Sequence, residues 1–375
     1  MRDSEKRGRQ VCSRCVLDTS DPDIQFDAKG VCNHCREEER RRSEKRPSPH
    51  ECEQQLARIV EKLKSRGRSR EYDCLLGISG GVDSSYVAYL AHQLGLRCLV
   101  VHMDNGWNSE LAVENIRGII EKLDFDLVTH VINWGEFRDL QRSFFKASVI
   151  DIEVLTDHAI FGTLSRLARK HRLHYVLSGG NAATESGLPK AWAWNKLDAR
   201  NIRAIHKQFG EKPLRTYPIT STWEWALKVA TGSLRYIKVL NLVPYRKDKA
   251  MQTLESELGW RYYGGKHYES TFTKFYQAYV LPNKFGVDKR KAHLSSLIRN
   301  GEITRDDARK ELDKPLYQPD ELRRDKEYVL KKLGFTEEEF RLIMSTPPKS
   351  HLDYPSDARF HAFAKAIATK LRKGI

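Results

Sequence analysis

Four short apolar runs in the middle of the chain leave few folds open. Tyr72–Ile78 (YDCLLGI), Leu96–Met103 (LRCLVVHM), Phe125–Ile132 (FDLVTHVI) and Leu173–Gly179 (LHYVLSG) are short and rich in strand-forming residues. Amphipathic stretches with helical spacing separate them, among them Glu110–Leu123 and Thr156–His171. Strands alternating with helices of this length predict parallel βαβ units and an α/β fold, a doubly wound parallel sheet. Upstream, residues 50–67 carry apolar positions at helical spacing before a glycine stop. Beyond about Trp260 the strand signal fades into short helices, and Thr304 with Asp307 and Thr336 with Glu339 have capping-box spacing. Three parts are expected: a metal-binding segment over 1–47, the sheet domain over 48–260, and a helical region over 261–375 that completes the substrate site.

Composition narrows the setting. The 375 residues are 40% hydrophobic, enough for a core, with no apolar run approaching a membrane span. The charged start, MRDSEKRGRQ, has no apolar stretch behind it, so no signal peptide is expected and a cytoplasmic location, away from membranes, is the default reading. A net charge of +15 suits anionic partners: nucleic acid, nucleotides or acidic sugars. Much of that excess sits in mixed runs, REEERRRSEKR and KSRGRSR, which read as solvated helix faces or linkers.

All seven cysteines lie within the first 98 residues. Cys12 and Cys15, then Cys32 and Cys35, form two C-x2-C pairs with sixteen residues between them. Such pairs let two turns place four thiolates around one tetrahedral ion, and four like ligands leave no open position for chemistry. Structural zinc is the expected occupant, an iron–sulfur cluster the alternative, and His34 is expected beside the site. The polar stretch between the pairs cannot make a core, so this segment should unfold without metal.

The stretch Ser79-Gly80-Gly81-Val82-Asp83-Ser84-Ser85 follows one predicted strand and opens a helix. Glycines allow a tight turn that aims successive N–H groups at one point, and hydroxyls and the positive helix end add to an anion site. Phosphate is the natural occupant. Neither a Walker loop nor G-x-G-x-x-G is present.

SGGVDS resembles the pyrophosphate loop of the PP-loop, or N-type, ATP pyrophosphatases. That resemblance implies cleavage of ATP between its α and β phosphates, with pyrophosphate held by this loop, Asp83 acting through magnesium, and the adenosine bordered by the second strand end. Here the second strand ends at Asp104 and Asn105, and a later one supplies Ser178, Gly179, Gly180 and Asn181 at the same edge. A wider set of stretches, LDTSDP, MDNGW, TDHAI, GGNAATES and the run from YYGGKHYES to RDDA, is similar to the N-acetyl sugar amidotransferases of bacterial surface-polysaccharide synthesis. Membership implies adenylylation of an acetamido oxygen on a sugar or nucleotide sugar, then displacement of AMP by ammonia to leave an acetamidino group. No cysteine here has a glutaminase setting, so a separate glutaminase and an ammonia-channelling subunit are the implied partners.

Further clusters are candidates for the remaining chemistry. Asp151, Glu153, Asp157 and His158 suit magnesium or the orientation of ammonia, although carboxylates at a helix start also serve its dipole. Lys266, His267 and Glu269 in GGKHYES are placed for phosphate charge or substrate, and Lys284, Lys289, Arg290 and His293 for a sugar carboxylate or diphosphate. Trp192 and Trp194 are either stacking platforms or core anchors. Two other functions compete: a tRNA-thiolating enzyme, which needs a reactive cysteine where Cys74 and Cys98 read as core thiols, and a non-catalytic nucleotide-binding scaffold.

Overall fold

The computed structural model describes residues 10–43, 47–182, 187–264, 268–358 and 360. Five parallel strands form its sheet: β1 Cys74–Ile78, β2 Cys98–Asp104, β3 Asp126–Val131, β4 Tyr175–Ser178 and β5 Arg235–Lys238, in the order β3-β2-β1-β4-β5. The four expected strands are present. The fifth, RYIK, is a four-residue edge strand with charged ends, too short and polar to stand out as an apolar run.

Helices cover both faces of the sheet. α1 spans Asn33–Ser43, α2 Pro49–Gly67, α3 Val82–Gln93, α4 Glu110–Leu123, α5 Trp134–Ala147 and α6 Val154–Lys170. Strand side chains alternate between two layers. Cys74, Leu76, Ile78, Cys98 and Val100 pack with residues of α2, α3 and α4, while Leu75, Leu99, Val101 and Val176 pack with Leu164 and Ala168 of α6. Cys74 and Cys98 face each other across β1 and β2, buried, with sulfurs 3.5 Å apart. The neighbouring sulfur and burial hold the Cys74 thiol well above its ordinary value, so this pair is core.

α7 Ala199–Phe209, α8 Thr222–Thr231 and α9 Lys247–Leu258 follow. α10, Thr271–Phe275, runs into a π-helical stretch over Tyr276–Phe285, and α11 Arg290–Asn300, α12 Arg305–Asp313, α13 Pro319–Leu333 and α14 Glu337–Ser345 complete the helical region. Thr304 and Thr336 make the expected capping boxes at α12 and α14. A third core joins this region to α5, α7 and the cysteine segment, so residues from the two ends of the chain share one interior. Trp192 and Trp194 belong to it: the Trp192 indole donates to the Ser20 carbonyl at 3.3 Å, and Trp194 stacks on His351 at 4.7 Å. No helix among the described residues is long and apolar enough to cross a membrane.

Candidate active site

At the carboxyl end of β1 the backbone turns through Ser79, Gly80 and Gly81 into α3. Gly80 has φ +80°, and a Cβ there would lie 2.7 Å from the Ala112 carbonyl oxygen, so a side chain is excluded twice over. Its own carbonyl accepts the Trp260 indole N–H at 2.9 Å. Gly81 caps α3 without a side chain, unlike Ser109 on α4 or Asn133 on α5. The first-turn N–H groups of α3 are therefore not served by a cap side chain, which is the arrangement that receives an anion. Ser84 Oγ accepts from the Ser79 N–H at 3.2 Å and donates to the Gly81 carbonyl at 3.1 Å, bracing the turn. From β4, Gly179 approaches so closely that a Cβ would stand 3.0 Å from the Ser84 nitrogen.

The turn opens onto a cleft of about 1180 Å³, above the roughly 300–1,000 Å³ of an ordinary single-ligand pocket. Two ligands fit such a volume. Ser79, Ser84, Ser178 and Gly179 line one end, with Asn105 and Asn108 from the β2 tip. Asp151, Glu153, Asp157 and Lys196 lie along it, and Glu269, Lys289, Arg290, His293 and Tyr317 line the part made by the helical region.

Several expected ligands have other work. Ser85 is wholly buried and outside the lining, and Val82 packs in the core between α3 and the sheet. Asp83 accepts the Tyr245 hydroxyl. Asp104 shapes its turn by accepting from the Gly106 N–H at 2.8 Å and the Asn108 amide at 3.3 Å, and Asn105 and Asn108 are the tip residues that line the cleft. Gly180 donates to Ser178 Oγ at 3.2 Å and Asn181 to the Gly179 carbonyl at 3.2 Å, so both brace the strand end from outside the lining.

The acidic cluster is neutralised by lysines. Lys289 Nζ sits 2.5 Å from Glu153 Oε2, whose two oxygens also accept from the Gln277 amide at 2.9 and 3.1 Å, and Lys196 pairs with Asp157. Burial pulls the Lys289 ammonium down, but Glu153 and Asp151 outweigh it and leave the pKa raised. Asp151 accepts from the Trp194 N–H at 2.7 Å and the Val154 N–H at 3.2 Å, and burial raises its carboxyl. Asp151 and Glu153 thus do not fit a magnesium site: one is held by backbone donors, the other by a lysine. His158 is a core residue, its Nδ1 donating to the Lys196 carbonyl at 2.8 Å and its Nε2 accepting the Thr220 N–H at 3.1 Å. Burial holds it neutral, at about 4.

Two expected substrate cations are structural. Lys284 lies outside the lining and donates to the carbonyls of Ile343 and Thr346 at 2.5 and 2.6 Å, closing the end of α14. Arg290 pairs with Asp288 at 2.9 Å and donates to the carbonyls of Glu311, Leu312 and Lys314 at the end of α12. Each satisfies carbonyls that a helix end leaves without partners. Lys266 and His267 lie outside the described residues. Lys196, Gln277 and Tyr245 went unnoticed in the sequence because each meets its partner across a long stretch of chain, with no local spacing to mark it.

The four cysteines are buried, with sulfurs all within 4.8 Å of one another. Ligand bonds of about 2.3 Å in a tetrahedron demand sulfurs about 3.8 Å apart, and those of Cys15 and Cys32 are at 3.7 Å. Backbone N–H groups of Arg14, Cys15 and Cys32 point at Cys12 Sγ at 3.4, 3.4 and 3.2 Å. Close packing of the sulfurs holds the Cys12 thiol far below its ordinary value and those of Cys32 and Cys35 far above it, so four thiolates can stand together here only around a cation. His34 is not a ligand: it bonds Asp21 at 2.7 Å and is partly buried.

Residues 52–148 match the NAD synthase family model, and residues 269–368 match a model described as LPS biosynthesis protein WbpG-like, C-terminal domain. Among solved structures, NMN synthetase from Francisella tularensis is 17% identical, covering 56% of this chain and 95% of that one at a TM-score of 0.29. The NH3-dependent NAD synthetase from Campylobacter jejuni is 16% identical, covering 55% and 84% at 0.30. A 4-thiouridine synthetase in complex with RNA and ATP is 17% identical, covering 50% of each chain at 0.24. No curated protein matches. The chain thus joins a PP-loop domain of the NAD synthase type to a WbpG-like C-terminal domain, and the second forms the other part of the same cleft.

Proposed function

We propose that the protein is an ATP-dependent amidotransferase that turns an acetamido sugar, free or nucleotide-linked, into its acetamidino form during lipopolysaccharide or O-antigen synthesis. The observation that carries this reading is the single cleft shared by the PP-loop and the WbpG-like domain, large enough for nucleotide and sugar together. ATP enters as its magnesium complex, with pyrophosphate against Ser79, Gly80, Gly81 and the first turn of α3. The acetamido oxygen attacks the α-phosphate and pyrophosphate leaves. Ammonia then adds to the activated carbon and AMP departs with the former amide oxygen. Aligning two reactants in one cleft removes much of the entropic barrier to the first step, and the loop N–H groups stabilise the charge left on pyrophosphate.

The helical region is the proposed acceptor side, with Glu269, Lys289 and His293 as contacts and Asp157 as the group that orients ammonia. Ammonia comes from a separate glutaminase through a channelling subunit, and the site of action is cytoplasmic. Zinc is the proposed metal of the four cysteines, which holds that segment folded and takes no part in catalysis. The three-part division at residues 47 and 260 is the proposed domain plan. Thiolation is the weaker alternative, because no cysteine lines the cleft and Cys74 and Cys98 are buried under the sheet.

Incubation with ATP, magnesium, ammonium and a panel of acetamido sugars tests the reading. AMP and a sugar with NH in place of oxygen are expected by mass spectrometry. Absence of both products with every sugar, while thiolated tRNA nucleosides vanish on gene deletion, would replace it.

A further inference from the structure

α11 offers two faces to two neighbours. Ala292, His293, Ser296 and Leu297 line the cleft. Lys291 and Ser295, one turn apart on another face, engage the cysteine segment. Lys291 Nζ pairs with Asp18 Oδ2 at 2.5 Å, the two side chains being 7% and 2% exposed, and Ser295 Oγ accepts the Val16 N–H at 3.2 Å. The next helix is tied to the same place: Arg305, the first residue of α12, donates to the carbonyls of Cys12 at 2.7 Å and Cys15 at 3.0 Å. Arg290 then links the start of α11 to the end of α12 through the carbonyls of Glu311 and Lys314. Both helices therefore rest on the turn that carries the first two ligand cysteines.

That turn is a stiff support only when its thiolates converge on an ion, because the polar segment around it has little else to hold its shape. We propose that the four-cysteine segment is a strut for the acceptor side of the cleft, and that Lys291, Ser295 and Arg305 are positioning residues that carry its geometry to Lys289 and His293. The assignment of this side to the acceptor rests on the function proposed above; the mechanical link rests on the contacts alone. Acceptor use should then depend on the metal segment, whereas ATP binding at Ser79–Ser84 should not, since none of these ties reaches β1, β4 or α3.

The test uses the full-length, metal-loaded chain carrying Arg305→Met, with Ser295→Ala and the paired Lys291→Met/Asp18→Asn change as milder variants should Arg305→Met fail to fold. Each is measured for bound metal, ATP affinity, hydrogen exchange along the chain and acceptor KM. Metal content is expected to stay at the wild-type ratio and ATP affinity within about twofold, while exchange over residues 290–300 rises about tenfold and acceptor KM about tenfold. Unchanged exchange over 290–300 in every folded variant that keeps its metal would overturn the proposal, as would an equal rise in α3. Exchange needs no acceptor, so failure of the amidotransferase reading would leave this result readable.

Discussion

At its PP-loop end the cleft is made of backbone: Gly80, Gly81 and Gly179 bring main-chain groups to one point because no Cβ stands in the way. Toward the helical region it is made of charged side chains drawn from distant parts of the chain, Lys289 with Glu153 and Lys196 with Asp157. The first construction is local and strict, since nearly any substituent collides. The second is long-range and balanced, most strictly at Lys289 and Glu153, which are largely buried and each tolerated only while the other is present. Phosphate is common to every ATP and suits a fixed cradle, whereas an acceptor is recognised by side chains that can vary.

The sharpest way to break that contrast is Gly80→Val. A β-branched residue at φ +80° that must also displace the Ala112 carbonyl should lower AMP release by about 10³-fold or more, with acceptor affinity retained. Near-normal AMP release would mean that the backbone cradle is not where ATP is cleaved.

Lys289→Met probes the other side by leaving Glu153 without its cation. Loss of about 3–5 kcal/mol in urea unfolding is expected, and adding Glu153→Gln should restore much of it. If the double variant is as unstable as the single one, the two charges do not form a balanced unit.

Acid should act instead through two histidines buried behind the cleft, His158 and His351. Burial holds His158 at about 4 and His351 at about 3, below the roughly 6.5 of an unfolded histidine. Below pH 6.5 the unfolded chain binds the extra protons, so stability is full above that value and falls as pH drops towards the folded values, by roughly 3 kcal/mol for His158 alone. The raised carboxyl of Asp151 works in the opposite direction, since it takes up a proton more readily when folded. Unfolding midpoints measured from pH 7 to 4.5 that show no decline would contradict this.

The smallest expected effect compares two neighbouring helix starts. Ser109→Ala removes the side-chain cap of α4 and should cost about 1 kcal/mol in thermal unfolding. Gly81→Ser at α3 adds a side chain where a Cβ would already lie 3.2 Å from both Ser79 Oγ and the Tyr263 hydroxyl, and should weaken ATP binding instead of stabilising the helix. Unchanged ATP affinity in Gly81→Ser would remove the reason offered for its glycine.

Local patterns made much of the molecule readable. The runs beginning at Tyr72, Leu96 and Leu173 became strands because a buried parallel sheet asks for short apolar segments, whereas the Phe125 run forms the largely exposed edge strand β3. Thr304 and Thr336 became caps because their partners are three residues away. The edge strand Arg235–Lys238 escaped notice because pairing with β4, not its own composition, makes it a strand. Lys284 and Arg290 looked like ligands for an acidic sugar because sequence shows a charge but not the helix end that consumes it.

What the sequence determined by itself was whatever depends on neighbours a few residues apart: the strand–helix alternation, the glycine turn, and the two cysteine pairs that converge in space. Tertiary structure alone decided which charges face the cleft and which are spent on pairing, and it placed the cysteine segment against α11 and α12, nearly three hundred residues away. Turn and cap geometry is set by backbone sterics acting at short range. The fate of a charge is set by whichever partner and solvent exposure the completed fold brings to it.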